Sequence, residues 1–180
     1  MKTCLWAALL GVMLALAPVS GSPKSTPGSV EFTVTTKTSG EKYAPRHVIA
    51  VWVTDSKGNF VRTLELRARE YVRHLRIWRK GSQGNTVDAI TGASLRAHQS
   101  HKLVWDCKNA KGELVPDGEY RIHVEFTEKN GQGPVIPANH IRFTKGPKAV
   151  SLTPADLPYF VEMKLSYTPA TSTEQKETQP

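Results

Sequence analysis

The sequence predicts an all-β protein, an immunoglobulin-like antiparallel β-sandwich with one inserted amphipathic helix. Three observations predict this class: short runs of alternating apolar and polar residues recur, turn-forming residues separate them, and a single segment has helical spacing. The chain has 180 residues, of which 39% are hydrophobic and 22% charged, a balance typical of a globular domain. The 13 Gly and 12 Pro residues disfavour long helical bundles.

Seven strands are predicted from short apolar or β-branched runs between turn signals, and in three of them, at residues 30–34, 119–126 and 160–167, apolar residues recur with a period of two. The clearest is at residues 119–126, where Tyr120 and Val124 share the apolar face and the opposite face, which carries Glu119 and Glu125, is expected to be solvated. Turn-forming residues at 55–59 indicate a hairpin between the second and third strands. The predicted strands are residues 30–34, 47–54, 60–66, 102–106, 119–126, 136–144 and 160–167.

One segment between these strands has helical spacing. Tyr71, Leu75 and Trp78 fall at i, i+4 and i+7, and arginines occupy positions between them. This pattern predicts one amphipathic helix over residues 67–78. A Gly-containing loop over residues 80–86 follows the helix.

The N-terminal residues 1–21 have the order of a secretory signal peptide. Lys2 precedes an apolar run over residues 5–17, and small residues follow at 19–21. The run is shorter than the ~20 residues that span a bilayer. Cleavage is therefore expected, and the protein is predicted to be periplasmic or extracellular.

Composition divides the remaining chain into three parts. Residues 22–28 are a predicted flexible linker, residues 29–168 the β-sandwich domain, and residues 169–180 a disordered tail rich in Thr, Glu and Gln. Cys107 is the only cysteine beyond the signal segment. Because a single cysteine remains after cleavage, an intramolecular disulfide and Cys-x-x-Cys redox chemistry are excluded. The Cys107 thiol is predicted to be buried.

Charge and missing fingerprints exclude several function classes. The formal charge is +8, with basic residues densest at 67–80. A solvated basic face and an attraction to an anionic membrane, cofactor or redox partner both fit this pattern. Nucleic acid is not an expected partner of an exported protein. Because no Gly-x-Gly-x-x-Gly and no Gly-Lys-Ser/Thr sequence occurs, a dehydrogenase or a kinase has no support.

A hairpin pattern occupies residues 105–120. It begins at Trp105, turns through Gly112 and ends in Pro-Asp-Gly-x-Tyr at residues 116–120. This stretch resembles the immunoglobulin-like domain of flagellar hook-capping proteins. The resemblance implies that Trp105 fills the core and that Asp and Asn side chains close the turn. Cys107 stands where many relatives carry Gly, and its side chain is expected to disfavour a positive φ.

A wider pattern covers residues 63–126. It contains Leu75-x-x-Trp78-Arg79, then the sequence Asp-Ala-Ile-Thr-Gly-Ala-Ser at residues 88–94, then the Trp105 hairpin. Together these features resemble a family of predicted periplasmic proteins catalogued as a domain of unknown function.

The Asp-x-x-Thr-Gly-Ala-Ser stretch, here called the acceptor motif, is similar to the motif of proteins that receive covalent FMN from an exported flavin transferase. The resemblance implies that the Ser94 hydroxyl is joined to the FMN phosphate, with FAD as the donor. Asp88 would orient the loop or meet the transferase, and Thr91 would hydrogen-bond within the turn. Gly92 and Ala93 would keep bulk away from the incoming nucleotide.

Two further residues complete the candidate cofactor site. Arg96, with the arginines of residues 69–79, would neutralise the phosphodiester, and Trp78 is a candidate wall for the flavin ring. Most such acceptors carry Thr at the last motif position and a second Ser or Thr three residues on. Ser94 preserves the nucleophile, whereas Ala97 lacks the second hydroxyl.

The leading hypothesis is thus an exported flavoprotein that passes electrons between a membrane donor and another extracytosolic acceptor, with the redox chemistry supplied by the flavin. A flavin transferase and a membrane or periplasmic redox partner are the implied partners. The alternative is a non-catalytic immunoglobulin-like module that binds an envelope component through loops or a sheet edge. A third hypothesis is a metal carrier using His74, His98, His101 and Cys107.

Overall fold

The computed structural model describes residues 23–136 and 141–170, in which strands from both halves of the chain form two packed sheets. The predicted all-β sandwich is confirmed. The predicted signal segment, residues 1–21, and residues 171–180 of the predicted tail lie outside the described residues. The strands are β1 (Gly28–Thr36), β2 (Val48–Asp55), β3 (Phe60–Arg67), β4 (Ile90–Gly92), β5 (Ser100–Trp105), β6 (Gly118–Thr127), β7 (Arg142–Lys145), β8 (Val150–Leu152) and β9 (Phe160–Pro169).

The two sheets have different sizes and strand orders. One has four strands in the order β5-β1-β9-β8, and the other has five in the order β4-β3-β2-β6-β7. Strands β2 and β3 form the predicted hairpin. The short strand β4 pairs parallel to β3, whereas the other pairings in the described part of the chain are antiparallel.

Apolar side chains from both sheets meet in the main core. Phe32 of β1 and Leu165 of β9 come from the four-stranded sheet, and Val51 of β2 and Val124 of β6 come from the five-stranded sheet. Trp105 is buried among them, as expected from its hairpin. Each such side chain contributes roughly 1.5–3 kcal/mol when it is fully buried.

The hairpin after Trp105 differs from expectation at Cys107. The thiol is buried, as predicted, but the backbone takes a φ of 58°, so the expectation that a side chain disfavours a positive φ is wrong here. In the turn that follows, Asn109 Oδ1 accepts hydrogen bonds from the amides of Lys111 (2.8 Å) and Glu113 (3.0 Å), and Gly112 takes a φ of 79°.

The predicted single helix over residues 67–78 is wrong in extent. Strand β3 continues to Arg67, a 3-10 helix follows at Arg69–His74, and a separate helix α1 occupies Arg76–Ser82. Leu75 divides them, because its φ of −82° and ψ of 75° are not helical. Tyr71 remains 42% exposed, so the expected apolar stripe is broken at this position.

The start of α1 depends on a buried carboxylate. Glu125 of β6 accepts hydrogen bonds from the amides of Ile77 (3.2 Å) and Trp78 (2.8 Å). These are free amides of the first helical turn, which need acceptors. Glu125 is fully buried, so the expectation that it is solvated is wrong. Burial raises its pKa, and the bonds from the helix amides oppose that rise.

The helical segment covers the outer face of the five-stranded sheet. Leu75 and Trp78 pack there against Ala50 and Trp52 of β2 and Leu66 of β3, in a second apolar cluster separate from the main core. This cluster positions the loop that carries the acceptor motif. None of the helices in the described ranges is long and apolar enough to cross a membrane.

The C-terminal strands also differ from the prediction for residues 136–144. Only β7, Arg142–Lys145, is a strand there, and residues 137–140 lie outside the described residues. Ile136 is buried and donates its amide to the carbonyl of Val124 at 2.8 Å. Strand β8, with three residues, was too short to show a period.

Hydrogen bonds also attach the segment before β1 to the domain. Asp117 accepts from the amide and the hydroxyl of Thr26, both at 2.7 Å, and from the buried Lys145 ammonium at 2.8 Å. Ala170 donates its amide to the carbonyl of Pro27 at 2.8 Å. The segment that enters β1 and the segment that leaves β9 therefore lie next to each other.

Candidate functional site

The acceptor motif follows α1 and runs along the outer edge of the five-stranded sheet. The loop before it is fixed to β3 through Thr63, which donates to the carbonyl of Asn85 at 2.6 Å and accepts from Trp78 Nε1 at 3.0 Å. Strand β4 then pairs with β3, with Thr91 opposite Leu66. Because β4 is an edge strand of three residues, one side of it is open to a binding partner.

Asp88 stands in an exposed turn at the start of the motif. It takes a φ of 54°, in the left-handed region that Asp tolerates better than most residues. Its Oδ2 accepts from Arg62 Nη2 at 2.8 Å, and Arg62 also donates to the carbonyl of Asn109 at 3.4 Å. The contact connects the motif to β3 and to the Trp105 hairpin.

Gly92 is in close contact with an arginine side chain. A Cβ at this position would collide with Arg67 Nη1 and lie 3.1 Å from Arg67 Cδ. Arg67 is held in place, because its Nε donates to Glu65 Oε1 at 2.9 Å and its Nη1 to the carbonyl of Thr91 at 3.3 Å. Packing against Arg67 therefore requires glycine at position 92, independently of the room expected for an incoming nucleotide.

Ser94 lies in irregular backbone two residues after the end of β4 and is half-buried. The next residue, Leu95, forms an isolated bridge with His47: the Leu95 amide donates at 2.9 Å and the His47 amide at 3.0 Å. This bridge fixes the end of the motif beside the start of β2. Ser94 is thus outside the regular strand pairing, between the end of β4 and the bridged residue Leu95.

Two neighbouring clefts divide the predicted site residues. The larger, about 730 Å³, is called the arginine cleft, and the smaller, about 470 Å³, is called the tyrosine cleft. The arginine cleft is lined by residues including Arg69, Trp78, Arg79, Thr91, Gly92 and Ala93. The tyrosine cleft is lined by residues including Tyr43, Arg46, Tyr71, His74, Ser94 and Lys129.

Two residues of the predicted cofactor site, Trp78 and Arg96, do not line the tyrosine cleft that contains Ser94. Trp78 is 1% exposed, and its indole nitrogen is already bound to Thr63, so only a small part of the ring reaches the arginine cleft. Arg96 is exposed and lies beyond the Leu95 bridge, where it lines neither cleft.

A stacked histidine pair, the buried His47 and the partly buried His98, lies at the tyrosine cleft, which His47 lines. The rings of His47 and His98 stack with centroids 4.1 Å apart, and His98 Nε2 lies 2.7 Å from Glu128 Oε1. Burial would raise the pKa of Glu128, but hydrogen bonds from His98, Thr38 and Ser39 lower it to about 2. Burial also lowers the pKa of His47 to about 4, so its ring is neutral at pH 7.

Two of the three histidines proposed as metal ligands, His98 and His101, have other partners. His98 faces Glu128, and His101 Nδ1 lies 2.7 Å from Glu65 Oε2. His74 lines the tyrosine cleft, while Cys107 belongs to the main core. Within residues 23–136 and 141–170, no group of three or more His, Cys, Asp and Glu side chains is placed to hold a metal ion.

Sequence reasoning missed most of the tyrosine cleft. Its residues come from the segment before β2, the 3-10 helix and the end of β6, and only the pairing of β2 with β6 brings these segments together. Tyr43 gave one usable signal, since it is a large aromatic residue outside the apolar pattern of the predicted strands, whereas Tyr71 was assigned to the apolar face of the predicted helix.

A comparison with protein families identifies the chain more closely. The family described as "Predicted periplasmic protein (DUF2271)" matches residues 29–153. The chain belongs to this family. The matched range contains the acceptor motif and residues of both clefts, and the description supports the predicted periplasmic location of the DUF2271 protein. No curated protein and no solved structure matches the chain.

Proposed function

We propose that this DUF2271 protein is an exported flavoprotein that carries FMN covalently on Ser94 and acts as an electron carrier in an extracytosolic redox system. The observation that supports this most is the position of Ser94. It follows an open edge strand, lies outside regular pairing and lines a cleft of about 470 Å³. A buried serine within a sheet would be out of reach of any transferase.

The attachment is a nucleotidyl-type transfer from FAD, catalysed by a separate flavin transferase. Ser94 Oγ attacks the phosphorus of the FMN half of the pyrophosphate, and a new P–O bond forms. The bond to the AMP phosphate breaks and AMP leaves, while a base of the transferase takes the serine proton. The protein itself needs only to present the hydroxyl in an accessible segment.

The segment around Ser94 is accessible in the required way. Ile90 is 47% exposed, and Thr91 and Ala93 are exposed as well. An enzyme that binds residues 90–94 as an extended segment would pair with the free side of β4. The small side chain of Ala93 and the absent side chain of Gly92 leave room for that approach.

Basic residues surround the attachment point. Arg69 and Arg79 line the arginine cleft, and Arg46 and Lys129 line the tyrosine cleft. Guanidinium and ammonium groups of this kind neutralise a phosphodiester. The FMN would supply the redox chemistry, whereas the residues of the chain attach it, orient it and set its electrostatic surroundings.

The test is coexpression of the exported protein with a flavin transferase, followed by measurement of the intact mass. The mature protein should gain the mass of one FMN less one water, and its colour should remain after denaturation. Ser94→Ala should remove both, while Ser94→Thr should keep them. Ser100→Ala, at an exposed serine of β5, is the matched control and should leave the modification complete. An unchanged mass, or a gain that survives Ser94→Ala, contradicts the proposal.

The alternative function, an envelope-binding module, is supported by a different observation. Strand β5 is a six-residue edge strand, and Val104 on its outer face is 68% exposed. Edges of this kind accept an added strand. A colourless protein that binds an envelope component, with binding lost in Val104→Lys, supports this alternative instead.

A further inference from the structure

We propose that the tyrosine cleft binds the isoalloxazine ring of the flavin, with Tyr43 and Tyr71 as its aromatic walls and His74 as a hydrogen-bonding partner of the ring edge. This inference rests on the proposed function, because it assigns a binding place to the flavin attached at Ser94. Ser94 lines this cleft and not the arginine cleft, where Thr91, Gly92 and Ala93 lie.

The walls of the cleft suit a flat aromatic ligand. Tyr43 and Tyr71 are each 42% exposed, and both line the cleft together with the apolar Val48. Tyr43 is fixed by its amide, which donates to the carbonyl of Glu128 at 2.8 Å, and its hydroxyl accepts from Asn130 Nδ2 at 3.2 Å. Half-exposed aromatic side chains held by the backbone are the usual walls of a small-molecule site.

Two histidine nitrogen atoms at the cleft lack hydrogen-bond partners, which favours a ligand with polar groups along one edge. His74 Nε2 and His47 Nε2 are buried and have no hydrogen-bond partner within the described part of the chain, and both residues line this cleft. Buried polar atoms without partners are rare and costly. The pyrimidine side of a flavin carries carbonyl oxygens and an N–H group, so it offers both an acceptor and a donor to such a nitrogen.

The charge of the cleft favours an anion. Arg46 lines it, and Arg73 Cζ lies 6.0 Å from the centroid of Tyr71, whereas the ammonium of Lys129, which also lines the cleft, is paired with the Glu41 carboxylate. The acid at the floor, Glu128, is already bound by His98, Thr38 and Ser39. Positive charge around a flavin favours the reduced, more negative form, and so raises its reduction potential.

The arginine cleft fits the ring less well. Its large aromatic residue, Trp78, is buried in the second apolar cluster, so the face of its indole ring is not exposed for stacking. The Ser94 side chain lines the other cleft. The tyrosine cleft, at about 470 Å³, also lies within the range of about 300–1,000 Å³ that small-molecule sites occupy.

Flavin fluorescence tests the placement, because a tyrosine or tryptophan stacked on the ring quenches it. The flavinylated protein should fluoresce less than the same amount of denatured protein. Tyr43→Leu and Tyr71→Leu should each raise the native fluorescence, and together raise it several-fold, whereas Tyr71→Trp should stay quenched. The matched controls, Val72→Ala and Thr86→Ala in the arginine cleft, should not change it. Circular dichroism of each variant shows that the sandwich is folded.

Arg46→Gln gives a second readout. It should lower the midpoint reduction potential, while Lys164→Gln, at an exposed residue of β9 that lines neither cleft, should leave it near the wild-type value. Unchanged fluorescence in both tyrosine variants, or dequenching by the Val72 or Thr86 variant instead, overturns the placement.

Riboflavin titration separates failure of this inference from failure of the attachment. Free riboflavin, which lacks a phosphate, is added to protein produced without transferase. If no covalent mass appears but riboflavin binds in a way that depends on Tyr43 and Tyr71, the cleft is supported and the attachment is wrong. A covalent mass on Ser94 with no effect of the tyrosine variants supports the attachment and overturns the cleft. Loss of both results overturns both.

Discussion

His47 and His98 stack almost face to face, with ring centroids 4.1 Å apart and an angle of 4° between their planes. Phe126 lies edge-on to both rings, at 5.6 Å and 5.2 Å. Two imidazolium ions in this arrangement would repel each other in a poorly hydrated site. Burial, helped by the nearby charges of His98 and His101, accordingly lowers the pKa of His47 to about 4.

We predict that the free energy of unfolding falls as the pH decreases from 6.5 to 4. In this window the unfolded chain protonates His47, whose ordinary pKa is 6.5, while the folded chain resists protonation until about 4. The unfolded state thus binds more protons, and stability is lost as pH falls. The loss attributable to His47 should be about 3 kcal/mol at most. Urea unfolding at a series of pH values measures it.

His47→Gln is the variant that isolates this effect. It should reduce the slope of stability against pH between 4 and 6.5, but not remove it, because burial also lowers the pKa of His123 to about 4. A slope equal to that of the wild type would show that His47 does not resist protonation. Titration of the imidazole resonances by NMR checks the same pKa directly.

Thr63 of β3 is hydrogen-bonded to Trp78 of α1 and to Asn85 in the loop before the acceptor motif, and Thr63→Val should therefore destabilise the domain. The isosteric change leaves Trp78 Nε1 and the carbonyl of Asn85 without their partner inside the protein. The expected cost is about 1–3 kcal/mol in the free energy of unfolding. Thr33→Val, on a half-buried face of β1, is the control and should change stability by less than about 0.5 kcal/mol.

In Thr63→Val, amide hydrogen exchange should increase more in residues 83–89 than in the residues of β3. Equal costs for the two threonine variants, with no local increase in exchange, would contradict the role given to Thr63.

Strand patterning in the sequence was informative wherever a strand has one face on the core. The alternation around Val30 and Val124 predicted β1 and β6, and these strands lie where expected. Strand β2 is buried on both faces and was predicted from its β-branched residues instead. The same reasoning was wrong for Glu125, because alternation along a strand does not show what covers its outer face. There the amides of α1 make a buried carboxylate favourable.

Helical spacing likewise predicted the existence of a helix but not its interruption. Leu75 satisfies the apolar period, yet its backbone leaves the helix so that Ile77 and Trp78 can bind Glu125. For the candidate site, the contiguous residues 88–94 were visible as a motif. Tyr43 and Tyr71 were not, since their closeness to Ser94 depends on strand pairing and on the path of the 3-10 helix.

Two substitutions of Asp88 separate the effect of backbone strain on stability from the effect of losing the Asp88 charge. Its φ of 54° lies in a region that Asn and Asp tolerate and Ala does not. The ion pair with Arg62 is exposed on the Asp88 side, and exposed pairs contribute little. Asp88→Asn should therefore cost less than about 1 kcal/mol, and Asp88→Ala about 1–2 kcal/mol. Equal thermal destabilisation by the two variants would mean that strain is not the cause.

The Cys107 thiol should be unreactive in the folded protein. It is buried in the main core, and burial raises its pKa to about 11. Little thiolate is present at pH 8, and alkylation requires the thiolate. In a chain that lacks Cys4, iodoacetamide should modify Cys107 only after denaturation, as measured by mass. Rapid alkylation of the native protein would contradict its burial.

The central claim is that Ser94 is the flavin acceptor, and fragmentation of one peptide tests it most directly. Trypsin cleavage after Lys80 and Arg96 releases residues 81–96, which contain four hydroxyl side chains: Ser82, Thr86, Thr91 and Ser94. In protein coexpressed with a flavin transferase, tandem mass spectrometry should place the added FMN on Ser94. The mass of the flavin on Ser82, Thr86 or Thr91, or a wholly unmodified peptide, would contradict the account.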